Sequence, residues 1–156
     1  MSDATPTVRD RIRGCLLGGA IGDALGWPVE FLAHAAIARR YGATGIRDFD
    51  PRAAGGRGAI TDDTQMTLFT AEGVLAGLAS GGADGAMDVA LAAAYQRWLV
   101  TQSGEGPPPG ATGLLAVPAL HARRAPGATC LAALEAVARG RVPLGAPARN
   151  DSKGCG

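Results

Sequence analysis

Between Gly58 and Met66 the chain reads Gly-Ala-Ile-Thr-Asp-Asp-Thr-Gln-Met. Two adjacent carboxylates and two hydroxyls stand where a glycine-rich loop meets an amphipathic helix. Hard oxygen donors in such a cluster suit Mg²⁺ or Mn²⁺. The first turn of a helix has free N–H groups and a partial positive charge, a field that favours ionised Asp62 and Asp63. Thr61, in the extended position before the helix, can add its hydroxyl. Three protein oxygens with water would make half of a dinuclear site or most of a mononuclear one. The competing reading is ordinary capping, because Thr and Asp at a helix start satisfy backbone donors without any ligand.

Three other sets of polar residues call for the same choice. Asp23 and Glu30 flank Gly26-Trp27-Pro28. They are either polar residues at a helix end and in a turn, or carboxylates beside a metal or substrate. Asn150-Asp151-Ser152-Lys153-Gly154-Cys155-Gly156 is either a frayed tail or a loop whose N–H groups face an anion. His34 and His121 have no accompanying nitrogen or thiol ligand and read as structural or surface residues.

The elements that must position these groups are helices. Ile12, Leu16, Ile21 and Leu25 give helical spacing from Val8 to about Ala24. Gly14, Gly18 and Gly22 recur every four residues on that helix, which predicts close packing of another backbone on the glycine face. Thr61 reads as an N-cap, followed by a stripe of Leu68, Ala71, Leu75 and Leu78 that Gly81-Gly82 ends. Asp84 to about Gln102 carries Met87, Leu91, Ala94, Tyr95, Trp98 and Leu99 on one side. A last helix is expected from a Thr129 cap through Leu131, Leu134 and Val137 to Gly140. No run alternates as a strand does, and no domain boundary stands out, so residues 1–156 read as one all-α domain.

Composition sets outer limits. The 156 residues are enough for one domain with a real core. A 47% hydrophobic content with 4% aromatic residues means a core of Ala, Leu and Val, which suits closely packed helices. The formal charge of +1 gives no electrostatic footprint for nucleic acid. Residues 1–13 lack the apolar stretch of a signal peptide, and Asp23 and Glu30 interrupt the one candidate membrane span. Cys15, Cys130 and Cys155 are odd in number and show no CxxC spacing, which argues against a disulfide framework or a zinc site. A reducing cytoplasm, with no membrane or nucleic-acid partner, is the expected setting.

Taken together, the segments Arg13–Gly26 with Pro28 and Glu30, Ile60–Met66, and Asn150–Gly156 resemble the ADP-ribosylglycohydrolase family. The resemblance implies a compact multi-helix fold around a dinuclear Mg²⁺ or Mn²⁺ centre. It implies that Thr61, Asp62 and Asp63 are metal ligands and that Glu30, Asp62 and Asp63 serve catalysis. Asn150, Ser152 and Gly154 are implied contacts to ADP-ribose. The implied reaction is hydrolysis of the bond at the ribose anomeric carbon of an ADP-ribosylated protein or a small ADP-ribosyl compound. Family members are about twice as long and carry a second metal-binding segment of the Asp-x-Asp-Thr kind. The chain is therefore expected to be the N-terminal piece of an incomplete fold, with half the ligand set. A binding module without turnover, or a purely structural helical protein, is the alternative.

Overall fold

The computed structural model describes residues 5–81 and 84–143. Among them are five α-helices and no strand: α1 (Val8–Gly26), α2 (His34–Tyr41), α3 (Asp62–Ala79), α4 (Ala86–Thr101) and α5 (Ala128–Ala138). The all-α expectation holds. The described chain forms two compact units, Met1–Thr64 and Gln65–Gly156.

In the first unit, α1 starts with a capping box. The Thr7 hydroxyl accepts the Asp10 N–H, and the Asp10 carboxylate accepts the Thr7 N–H at 3.0 Å. After a single 3₁₀ turn at Trp27–Val29 and the short helix α2, the chain enters a long loop organised by Asp50. This carboxylate is buried and accepts from Arg40 (2.8 Å), the Tyr41 hydroxyl (2.5 Å), and the backbone and side chain of Arg52 (2.8 and 3.0 Å). The Arg52 and Tyr41 hydrogen bonds hold its pKa far below the usual carboxylate range. Arg40, in the last turn of α2, is thus ion-paired with Asp50.

The second unit is built on Phe69, Trp98, Leu120 and Leu131, with Met66, Leu68, Leu99, Leu114 and Leu134 packed against them. Gln65 is fully buried in this core, and its amide makes four hydrogen bonds. Nε2 donates to the carbonyls of Leu120 and Ala122, and Oε1 accepts from Trp98 Nε1 and Gln102 Nε2. Such a group costs little to bury because its polar atoms are satisfied. Glu72 pairs with Arg97 at 3.1 Å and accepts the Leu114 N–H at 2.8 Å, which ties down the 3₁₀ turn at Gly113–Ala116.

Three sequence expectations need correction. Gly14, Gly18 and Gly22 are not packing contacts, since a Cβ at any of them would meet nothing within 4 Å. The close helix approach lies elsewhere. A Cβ at Gly73 would stand 2.9 Å from Leu91 Cα, and one at Gly77 would stand 2.7 Å from Met87 Sδ. The apolar stripe on α3 is buried only in part, with Leu75 67% and Leu78 65% exposed, because Gly73 and Gly77 turn the adjacent face toward α4. Finally, α5 is capped at Gly127, so Thr129 lies inside its first turn.

Two outcomes follow from this packing. Gly73→Ala should destabilise the protein by about 1–3 kcal/mol through overpacking. Gly18→Ala, in open space, should stabilise it by up to about 1 kcal/mol through helix propensity. Thermal melts that rank the two variants in the opposite order would contradict the geometry. For Asp50, the folded carboxyl titrates below its unfolded value. Its stabilisation is full above about pH 4–5 and lost as pH falls from there toward the folded pKa. Asp50→Asn should therefore be less stable at pH 7 and lose less of its melting temperature between pH 5 and pH 3 than the wild type.

Candidate functional site

The site is assembled where the end of α1 meets the start of α3. Asp23, near the end of α1, reaches across 38 residues of chain. Its Oδ2 accepts the Thr61 N–H at 2.8 Å and its Oδ1 accepts the Thr61 hydroxyl at 2.7 Å. Oδ2 also accepts the Thr64 hydroxyl at 2.5 Å and the Thr64 N–H at 3.3 Å. Thr61 in turn accepts the Asp63 N–H on its Oγ1 at 3.3 Å. Thr61 and Thr64 are buried, Asp62 is half-buried and Asp63 is exposed.

This arrangement separates the two roles that the sequence left open. Capping of α3 is carried out by Thr61 and by Asp23. The Asp63 carboxylate is not needed for it and remains at the surface.

Glu30 follows the 3₁₀ turn at Trp27–Val29. Its carboxyl is pushed above the usual glutamate range, first by partial loss of water and then by the negative charges of Asp63, Asp62 and Asp23. Glu30 is itself exposed and feels the negative charges of Asp63, Asp62 and Asp23. Asn150, Ser152 and Gly154 lie outside the described residues. His34 opens α2 at the surface, whereas His121 is buried, with Nε2 2.7 Å from the Leu115 carbonyl. Cys15 and Cys130 form no disulfide.

The donor chemistry here, two carboxylates and a hydroxyl, fits a hard divalent cation. The set is partial, because no group of three or more His, Cys, Asp or Glu side chains that could hold an ion occurs among the described residues. The sequence reading missed the part played by Asp23 and Thr64. A lone acid late in a helix whose preceding nine residues carry no charge was the available signal, but nothing in the sequence pointed to its partners.

An all-helical chain with this glycine-rich α1 and a Thr-Asp-Asp-Thr helix start is the architecture that the sequence resemblance implied. The sequence profile of the ADP-ribosylglycohydrolase family matches residues 4–156, and the chain belongs to that family. It is 37% identical over 101 residues to the ADP-ribosyl-[dinitrogen reductase] glycohydrolase of Rhodospirillum rubrum, covering 60% of this chain and 30% of that protein. It is 43% identical over 70 residues to an uncharacterized protein of Archaeoglobus fulgidus, covering 44% of this chain and 22% of that one. The chain thus matches under a third of the length of either relative. No solved structure matches it significantly. No single helix among the described residues is long and apolar enough to cross a membrane.

The electrostatics of Glu30 give a measurable consequence. Its raised pKa means that the ionised form is disfavoured in the folded state, so its contribution is most favourable at low pH and is lost as pH rises through the folded pKa. Glu30→Gln should raise the melting temperature at pH 7 and leave it nearly unchanged at pH 4. A lower melting temperature at pH 7 would show that Glu30 is held by a favourable partner instead.

Proposed function

We propose that this chain carries the N-terminal acidic half of a metal-dependent ADP-ribosylglycohydrolase site, as one part of a single family domain. The reaction is hydrolysis of the glycosidic bond between ADP-ribose and a modified protein side chain, or a related small ADP-ribosyl compound. The observation that supports this reading is the start of α3, where Asp23 and Thr61 cap the helix and the Asp63 carboxylate stands exposed next to Asp62, in a chain of this family. The protein substrate is supported by the name of the Rhodospirillum rubrum relative. A cytoplasmic setting without membrane or nucleic-acid partners completes the reading.

Thr61, Asp62 and Asp63 would hold Mg²⁺ or Mn²⁺, as half of the family's dinuclear centre. When bound, such an ion supplies positive charge that orients water and ribose hydroxyls. The chain's own residues do the rest. As the acceptor leaves the anomeric carbon, positive charge develops on the ribose ring, and the surrounding carboxylates stabilise it. Water adds its oxygen to that carbon and the departing acceptor receives a proton; Glu30 is assigned to take the proton that water gives up, its raised pKa bringing it nearer the working pH. Asn150, Ser152 and Gly154 are assigned to ADP-ribose contacts.

A second reading, a module that binds ADP-ribose or a nucleotide without turnover, is favoured by the partial ligand set. Calorimetric titration with Mn²⁺ and release of ADP-ribose from an ADP-ribosylated protein decide between them. Metal-dependent release supports the hydrolase, and ADP-ribose binding without release supports the module. In either case Asp62→Asn with Asp63→Asn should weaken Mn²⁺ binding at least about tenfold, as removal of charged oxygen ligands does, with helical content by circular dichroism unchanged. Unaltered Mn²⁺ binding by the double variant would refute the metal assignment.

A further inference from the structure

We propose that Asp23 is a positioning residue. It fixes the Thr61 hydroxyl proton inward, so that Thr61 Oγ1 keeps an unshared electron pair for a hard cation. The proposal rests on the cation reading of the site.

A threonine hydroxyl has one proton and two lone pairs. The 2.7 Å contact from Thr61 Oγ1 to Asp23 Oδ1 must be a donation by the hydroxyl, because a carboxylate has no proton to give. That contact commits the proton. The Asp63 N–H, 3.3 Å away, takes one lone pair. The second lone pair is committed to neither partner. A hydroxyl that can only present oxygen outward ligates a cation, whereas one whose proton turns outward repels it.

The two oxygens of Asp23 carry unequal loads. Oδ2 accepts three donors: Thr61 N, Thr64 N and Thr64 Oγ1. Oδ1 accepts the Thr61 hydroxyl. An asparagine at this position would therefore place its carbonyl oxygen where Oδ2 stands, since two of the donors there are N–H groups that cannot reverse. Its NH₂ would then face Thr61 Oγ1 and donate to it. The α3 cap survives and the Thr61 hydroxyl is inverted, with its proton displaced outward. Asp23→Asn is thus nearly silent for the fold and reverses the polarity of one ligand atom.

The test uses the whole chain, first without metal. By NMR, the Thr61 hydroxyl proton should exchange slowly in wild type and at least about tenfold faster in D23N. The amide protons of Thr61 and Thr64 should keep their protection to within about threefold. With Mn²⁺, D23N should bind about 10- to 100-fold more weakly than wild type, the usual effect of losing a group that orients a ligand. Thr61→Val should weaken binding to a similar degree, and D23N should add nothing in the T61V background. Unchanged hydroxyl exchange in D23N, loss of amide protection in D23N, wild-type Mn²⁺ binding by D23N, or a full D23N effect in T61V would each overturn the proposal. Wild type that binds no Mn²⁺ while its hydroxyl proton behaves as stated would sink the cation reading and leave the inward proton established.

Discussion

The Asp23 carboxylate is the interaction on which the first unit turns. It accepts four hydrogen bonds from two residues at the start of α3, and it does so from the far end of α1. A helix start leaves its first N–H groups without intrahelical partners, and burying them unsatisfied costs about as much as a lost hydrogen bond each. Asp23 and Thr61 supply those acceptors. The Asp63 carboxylate is therefore not needed to cap the helix it begins and stays at the surface. A helix start capped from outside can hold carboxylates at its first turn for another purpose, and the macrodipole keeps them favourable there.

The concentration of acids has an electrostatic cost. Glu30 is raised first by partial loss of water and then by the negative charges of Asp63, Asp62 and Asp23. Asp50, in the same unit, shows the contrasting arrangement. It is as deeply buried as any acid described, yet its pKa is lowered, because Arg52, Tyr41 and Arg40 neutralise and hydrogen-bond it. A structural carboxylate in this fold is matched by cations and donors. Glu30 instead has carboxylates as its electrostatic neighbours, which is the pattern expected of a group kept for chemistry.

Much of the helical frame was legible in the sequence. Periodicity placed α1, α3, α4 and α5, and the α4 face through Leu91, Ala94 and Trp98 was read correctly because each of those side chains packs. The acid-rich start of α3 and the Thr61 cap were also legible, since both are local. What failed was tertiary. The glycine repeat of α1 is a stronger visual pattern than Gly73 and Gly77, yet only the latter pair is in contact, and glycine spacing says nothing about which helix will arrive. The Asp50 contacts with Arg40 and Tyr41 and the Asp23 tie join residues that no local rule links. Asn150, Ser152 and Gly154 lie outside the described residues.

The same facts locate the strength of α1. Gly14, Gly18, Gly19 and Gly22 each cost about 1 kcal/mol of helix propensity relative to Ala, and no described neighbour packs on them. Leu17 and Ile21 between them are 63% and 50% exposed, so burial contributes little there. The helix is instead held at its ends. Thr7 and Asp10 close the first turn, and Asp23 is bonded to Thr61 and Thr64 near the last. A helix weak in its middle and fixed at its C-terminal end keeps Asp23 in place whatever the middle does. The oxygen that orients Thr61 therefore sits on one of the best-anchored points of the first unit, where a ligand-positioning group has to be.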